Sequence, residues 1–526
     1  MKKRFLSLIS LALVFCLCAC LAGIPAQAAG EESVEIAIGS TDGKFIGHFD
    51  PTGGFSNDYG SGGLYLVYER VFYTDPDTRE FTSNILSDYY MTEDNVAVLT
   101  VKDGVTFSRS GNQLLASDLL YSFRRSTIPA QAAGNWEKYT DLDAAYVSDD
   151  NKTLYVPFKM ECGPWQTIIG AWVLEEAWIQ ENGGDDFDFF DPLLANGLGA
   201  YVPTELVVGT SATFERVKDW WGNEEYGGTD FCYADKITNY MYSDETTMMV
   251  NFENGVLDIV LRISANSMEY VMNNPSVGTA QEISSNTVAT IVMDYDVDGN
   301  PIFENENLRK AICYGTPAEA LGELAYGVLY HEPVSYLATT TPFVVEGYTY
   351  EYDPELAQSY MDESGLSDVH LKWVSNSGSA ATTIAEAFQA YMSMLGITVD
   401  LEVYDILTCI QTWSEPGGTD FKMACEQNAC VSGDPYDQVV YYSNTYNLHC
   451  SNRQWEDYNA LIEGATYSFD QDVRADYYAQ WQEYLYGTYS VIPVCEWSLG
   501  LAYGENVAGT RLVDVSTPDL RFISFS

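Results

Sequence analysis

The chain is short of positive charge and shorter still of histidine. Against 76 aspartates and glutamates stand 25 lysines and arginines, and 526 residues include four histidines. A formal charge of −51 repels nucleic acid and anionic surfaces, so neither is expected as a partner. His48, His331, His370 and His449 are widely spaced and none belongs to an HExxH, and there is no GxSxG elbow, Walker A loop or GxGxxG turn. Enzymes built on those constellations are excluded, and no catalytic activity is expected. The carboxylate pair of a glycosidase is the one arrangement that sequence spacing leaves open, so an extracellular glycan-processing enzyme remains the rival class.

Long apolar runs are almost missing too. One extends from Phe5 to about Leu21, behind Met1-Lys2-Lys3-Arg4 and ahead of Pro25-Ala26-Gln27-Ala28. Charged start, apolar middle and small-residue exit describe an export signal, so 1–28 is read as a leader and the protein as exported, extracellular or periplasmic. Leu17-Cys18-Ala19-Cys20 approximates a lipobox in which Cys20 would carry an acyl anchor, and free secretion fits equally well. No later stretch reaches the roughly 18 apolar residues of a membrane span.

Cysteines with metal-site spacing are absent. Once Cys16, Cys18 and Cys20 leave with the leader, Cys162, Cys232, Cys313, Cys409, Cys425, Cys430, Cys450 and Cys495 remain, with no CxxC among them. Their even number permits disulfides, and Cys425 with Cys430 is one pairing, buried free thiols being the alternative. Asp294-Tyr295-Asp296-Val297-Asp298-Gly299 opens like a calcium loop, but its twelfth position is Asn305 and Pro301 intrudes, so an acidic hairpin tip is the better reading. No metal and no cofactor is expected.

What is plentiful is apolar and aromatic surface, 46% and 14% of residues, on a chain long enough for two or three packed lobes. The stretch from Val96 to Arg125 organises it. Val96, Val98 and Thr100 alternate with Ala97, Leu99 and Val101 as a half-buried strand, and Lys102-Asp103-Gly104 turns it. Val105 and Phe107 resume a strand, and Ser117 caps a helix whose apolar face is Leu119, Leu120 and Phe123. Further along, Asp353-Pro354 begins a helix that Gly365 ends, and Leu371–Val374, Ala380–Leu395 and 396–401 read as strand, helix, strand.

These residues also carry a resemblance. Gly104-Val105-Thr106-Phe107, Gly111, Ala116-Ser117-Asp118 and Arg124-Arg125 are similar, in order, to a signature of extracellular solute-binding proteins of the dipeptide and oligopeptide class, receptors of ABC importers. Asn196-Gly197-Leu198-Gly199-Ala200-Tyr201, Trp220-Trp221-Gly222, Gly255-Val256-Leu257-Asp258-Ile259 and Tyr352-Asp353-Pro354 extend it. The two glycines at 197 and 199 allow close backbone packing at a crossing between lobes.

The resemblance implies an α/β, two-lobed periplasmic-binding-protein-like fold of type II, in the large cluster C form with an extra subdomain. Lobe I would be assembled from 33–72, 196–285 and 489–526, lobe II from 73–195 and lobe III from 286–488. It implies a monomeric receptor that closes about a hinge on a peptide or other small solute, oligosaccharide and metal chelate included, and delivers it to a membrane permease. Phe55, Asn57, Asp58 and Tyr59, in the polar loop after Asp50-Pro51, are its candidate ligand contacts on lobe I. Trp413, Asn428, Asp434 and Tyr436 are the candidates on the facing side, and Trp497 is the candidate at the hinge-side edge of the cleft. The carboxylate that holds a peptide ammonium in such proteins aligns near Val431, which cannot serve, so Asp434 or Asp437 would have to substitute.

Overall fold

The computed structural model describes residues 33–41, 48–52, 63–127, 136–223, 226, 234–293, 305–405, 408–409, 412, 422–430, 432–440, 456–512 and 517–525. One sheet runs through most of it. In spatial order its strands are Ile397–Tyr404, Val369–Asn376, Lys422–Ala429, Thr279–Met293, Val491–Tyr503, Ile259–Ile263, Glu35–Ser40, Lys236–Met241, Ser211–Arg216 and Tyr201–Val207, with Tyr330–His331 added beside Val491–Tyr503.

Two apolar cores share this sheet. The first gathers Ile36, Ile38, Tyr65, Tyr201, Phe214, Ile237, Ile259 and Leu501, and the second gathers Ile291, Met293, Leu308, Ile312, Leu371, Trp373, Phe388 and Val494. Thr279–Met293 and Val491–Tyr503 are long because each supplies both cores. Their antiparallel ladder shifts register between Ser284 and Thr287, where Ser285 and Asn286 form a bulge and Asn286 takes φ of 54°. Asparagine tolerates that left-handed conformation better than other side chains do. A bulge interrupts the ladder and lets strands bend, so the two cores meet at a flexible joint.

A third core packs on a separate antiparallel sheet in the order Leu86–Met91, Val96–Val101, Thr153–Pro157, Tyr146–Val147. The strand at 96–101 is as its alternation predicts. Val105 and Phe107 are buried, at 0% and 1% exposure. Yet they form no second strand, because the Lys102-Asp103-Gly104 turn leads into a short loop closed by a single bridge between Thr106 and Gln113. The helix is Ala116–Arg125 with Leu115 as its N-cap, two residues earlier than a Ser117 cap allows. Its start is fastened by Asp118, whose carboxylate accepts the Leu115 N–H at 3.0 Å, while the Ser117 N–H is taken by Asn151 at 2.9 Å.

Gly197 and Gly199 act through proximity. A β-carbon on them would stand 2.1 Å from the Val67 carbonyl oxygen and 2.3 Å from that of Leu66. The helix Pro354–Ser364 has Asp353 accepting from Leu356 N and Gly365 at φ 69°, as its sequence predicts. Val369–Asn376 and Ile397–Tyr404 flank the helix Ser379–Met394 and pair in parallel.

The proposed Cys425–Cys430 disulfide is corrected: Cys430 is a buried free thiol. Cys425 pairs with Ile291 inside the strand Lys422–Ala429, and Cys430 follows that strand's end. Five extended residues span about 16 Å, more than twice the reach of a disulfide. Cys162, Cys313, Cys409 and Cys495 are buried free thiols as well. The acidic run 294–299 and the leader 1–28 lie outside the described residues.

Candidate functional site

The bodies meet along a seam formed by the loop and short helix 432–440. Gly433 sits at φ 78° with its Cα against Thr74, where a β-carbon would stand 2.6 Å from the threonine methyl. That approach lets the Thr74 hydroxyl donate to the Ser432 carbonyl. The hydroxyls of Thr167 and Ser432 lie 3.0 Å apart, and Gly163 N–H donates to Thr466 O at 2.7 Å. Tyr436 and Val440 then enter the third apolar core beside Phe72 and Tyr139, the Tyr139 and Tyr436 rings meeting edge-on at 5.9 Å.

The two acids of this loop are drawn inward. Both oxygens of Asp434 accept from Arg474 Nη2 at 2.9 Å, and one also accepts the Tyr436 N–H at 2.9 Å. Arg474, on the helix Gln471–Gly487, further donates through Nε to Ala465 O at 2.9 Å. The pair is almost wholly buried, its side chains 3% and 6% exposed. Asp437 accepts the Ser432 N–H at 2.6 Å, and burial pushes its carboxyl up to about 6 although that bond favours the charged form.

Beside the loop is a small hollow lined by Arg70, Phe72, Tyr73, Thr74, Phe81, Gln166, Thr167, Gly170 and Ser432. Arg70 is held there by two hydrogen bonds from Nε and Nη2 to Gly170 O, at 3.1 and 2.9 Å, with its guanidinium 5.8 Å from the Trp172 ring centre. Behind it, Glu69 is buried and accepts from Tyr73, Asn84 and Arg521, the last also paired to Asp519. This network ties the C-terminal strand Pro518–Phe525 to the first body.

On the far side of the seam lies the joint. Asn286 Nδ2 donates to Cys430 O, Cys430 N–H returns a bond to Asn286 O at 3.0 Å, and Thr340 donates to Asn286 Oδ1. Ser285 donates to the carbonyl of Trp497, whose partly buried ring stacks on Tyr326 at 5.7 Å. The neighbouring Glu496 accepts from Thr339 through its N–H and hydroxyl, at 2.9 and 2.8 Å.

The sequence-predicted residues are therefore distributed unevenly. Asp434 and Tyr436 share the seam loop, and Trp497 stands at the joint. Asn428 lies in the strand Lys422–Ala429 with its backbone paired to Val288. Phe55, Asn57, Asp58, Tyr59 and Trp413 lie outside the described residues. Sequence reasoning missed Arg70, Thr74, Thr167 and Ser432, and the one available signal was a lone arginine in a strongly acidic chain. Among the described residues no group of three or more His, Cys, Asp or Glu is placed to hold a metal, and no helix is long and apolar enough to cross a membrane.

Two cores joined by bulged crossing strands, with a seam opposite the joint, set the comparison with known proteins. The family model for bacterial extracellular solute-binding proteins, family 5 (middle), matches residues 80–448. The chain belongs to that family. Solved structures agree on the two-lobed fold. The dipeptide-binding protein of a Pseudoalteromonas species, in complex with Met-Leu, is 16% identical with a TM-score of 0.78, covering 94% of this chain and all of that one (100%). NikA from Brucella suis, in complex with Fe(III)-EDTA, is 16% identical with a TM-score of 0.77 over 94% and 100%. AgaA from A. tumefaciens, in complex with agropinic acid, is 14% identical with a TM-score of 0.75 over 94% and 98%. A binding protein of Brucella melitensis is 27% identical over 120 residues, 22% of this chain and 20% of the relative, so the match spans about a fifth of that curated protein. In this family 5 chain the match takes in the seam loop and the first half of the joint, and it ends before Trp497.

Proposed function

We propose that the chain is the solute receptor of an ABC importer, taking an oligopeptide-like solute into the gap between its bodies and presenting the closed form to a membrane permease. The observation that supports this most directly is the pair of strands, Thr279–Met293 and Val491–Tyr503, that each serve two cores and shift register between Ser284 and Thr287 and again between Ala289 and Thr290. A solute touching both bodies favours the closed state by its differential affinity for that state. In this reading lobe I comprises 33–72, 196–285 and 489–526, lobe II 73–195 and lobe III 286–488, and the protein works as a monomer without catalysis, metal or cofactor. Export, by leader cleavage after 28 or alternatively by cleavage ahead of an acylated Cys20, would put it outside the cytoplasm. Phe55, Asn57, Asp58, Tyr59, Trp413 and Asn428 keep their assignment as solute contacts, with Trp497 and Tyr436 at the cleft's edges. Asp434 is reassigned to holding the seam loop in place.

A second reading, a different small solute, has support from the ligands named in the solved relatives, which include a metal chelate and agropinic acid beside a dipeptide. Thermal-shift screening against peptide, oligosaccharide and metal-chelate libraries separates the two, since a cleft ligand stabilises by mass action. Solution scattering with the tightest hit tests closure: a smaller radius of gyration is expected, and an unchanged one would remove the hinge mechanism.

A further inference from the structure

The third core is not completed by its own body. Phe72, Leu99, Phe107 and Trp165 belong to it by sequence neighbourhood, yet Tyr436 and Val440 are buried in it and Tyr467 and Phe469 pack against it. Those four come from a stretch with a core of its own. Val439, between Tyr436 and Val440, joins Tyr336, Tyr458, Trp481 and Leu485 in a fourth core. The short helix Tyr436–Val439 is therefore a wedge with one face in each body.

Tyr139 takes the contact on the receiving side. Its buried ring meets Tyr436 edge-on at 5.9 Å and Tyr467 edge-on at 6.2 Å, so one tyrosine of the third core is held between two from across the seam. Lys138 spans the same boundary, its ammonium 5.3 Å from the Tyr139 ring centre, 5.8 Å from that of Tyr467 and 3.7 Å from Glu463. Beside them the Gly163 N–H donates to Thr466 O at 2.7 Å. Only glycine fits at that approach: a β-carbon would stand 2.3 Å from Ser468 O and 2.7 Å from the Arg474 side chain, both on the facing body.

The body that carries Tyr139 and Gly163 is fastened elsewhere to the first one. Ser108 N–H donates to Gly197 O at 2.8 Å, and Arg125 pairs with Asp50 at 2.6 Å. It therefore follows the first core, and the seam shuts as the joint between the first and second cores bends.

We infer that the Tyr139, Tyr436 and Tyr467 rings are a closing clasp, which positions the bodies and favours the shut state through contacts that are the same for every solute. The inference rests on the receptor reading above and deepens its closing step. A solute then has only to complete a balance that the clasp has already shifted. One edge-to-face ring pair is worth a factor of about two to twelve in such an equilibrium.

The Gly163 amide reports the clasp, since its bond to Thr466 O exists only while the seam is shut. Hydrogen exchange of the mature protein without solute, resolved to single residues by fragmentation mass spectrometry, is expected to find this amide several-fold slower than in the unfolded chain. It should remain far faster than the ladders of Val96–Val101 and Val369–Asn376. Tyr467→Ala should quicken it by about the factor of one ring pair, up to the unfolded-chain rate, with both ladders unchanged. Tyr467→Phe keeps the ring and should hold the wild-type rate. In Gly163→Ala the added methyl clashes across the seam, so scattering should give the free variant a larger radius of gyration than wild type while both ladders keep their rates.

The clasp is overturned if the wild-type amide exchanges as in the unfolded chain, or as slowly as the ladders, which would make the contact permanent. It is overturned equally if Tyr467→Ala leaves the amide unchanged or quickens the ladders with it, or if Gly163→Ala is no larger than wild type. None of these readouts involves a solute, so failure of the receptor reading shows separately, as an absence of hits in the thermal-shift screen.

Discussion

Replacing Asp434 by asparagine removes a charge from the seam and little else. The amide oxygen can still accept the Tyr436 N–H, and the side-chain volume is nearly unchanged, so the perturbation isolates the ion pair. Arg474 keeps its bond to Ala465 O and its place 5.5 Å from the Phe343 ring and 5.6 Å from that of Tyr478. Its charge, however, is left without a carboxylate in an environment where both side chains are at most 6% exposed. Breaking one partner of such a pair costs about 3–5 kcal/mol, and the retained bond to Tyr436 places Asp434→Asn near ~3 and Asp434→Ala near ~5. Combining Asp434→Asn with Arg474→Met removes the stranded charge, so the double variant should recover at least about 2 kcal/mol of what additivity would deny it.

Urea denaturation at neutral pH, followed by tryptophan fluorescence, measures wild type, Asp434→Asn, Asp434→Ala, Arg474→Met and the double variant without the screening that guanidinium introduces. The reasoning is refuted if Asp434→Asn unfolds within about 1 kcal/mol of wild type while solute affinity falls ten-fold or more. Asp434 would then be a ligand contact whose partner in the closed protein is dispensable. It would equally be refuted by strict additivity of the two single changes.

Three further outcomes follow from the geometry. Gly199→Ala should destabilise by about 1–3 kcal/mol or more, read as a lowered urea midpoint, because the new methyl lies 2.3 Å from Leu66 O and backbone must move. Arg521→Met should cost about 3–5 kcal/mol, since buried Glu69 and Asp519 lose their shared cation, and limited proteolysis should begin at the C-terminal strand. The pH response comes from Asp118: burial raises its carboxyl to about 6, against the pull of the Leu115 and Glu176 N–H groups. A folded value above the unfolded one means the native state holds the proton more tightly, so stability falls as pH rises from about 4 to 6. The penalty reaches ~3 kcal/mol above that window. Melting should therefore rise between pH 7 and pH 5, and Asp118→Asn should reduce that rise, leaving the share of Asp437, whose carboxyl is also raised to about 6.

Local signals were the legible ones. Alternation gave away the strand at 96–101, Asp353-Pro354 and Gly365 marked both ends of one helix, and the paired glycines at 197 and 199 announced a close backbone approach. Each depends on residues adjacent in sequence or on a conformation few residues adopt. The Ser117 cap failed because a competing local arrangement won: Asn151 takes the Ser117 N–H and Asp118 serves Leu115 from inside the helix. The seam was not legible at all. Thr74 meets Ser432 from 358 residues away, and Arg474 reaches Asp434 from a helix whose sequence reads only as amphipathic. Long-range pairing of this kind leaves no periodicity, and Asp434 therefore looked like a ligand contact when its carboxylate was already committed.

The residues around the seam are held in place by different means, and this separates what can vary from what cannot. Asp434, Gly433 and Tyr436 are each fixed by something buried: an ion pair, a left-handed backbone against Thr74, and an aromatic contact inside the third core. Changing any of them strands a charge, forces a clash or opens a cavity, so these positions are set by closure whatever the cargo. Arg70 differs. Its backbone N–H bonds the Tyr73 hydroxyl at 2.9 Å, an interaction that any residue but proline preserves. Its guanidinium is held by the Gly170 carbonyl, and its charge favours the ionised carboxylate of buried Asp437. Replacing its side chain by a neutral one therefore leaves the joint and the cores in place and is felt at the seam, where the buried Asp437 carboxyl loses a favourable charge and is pushed further up.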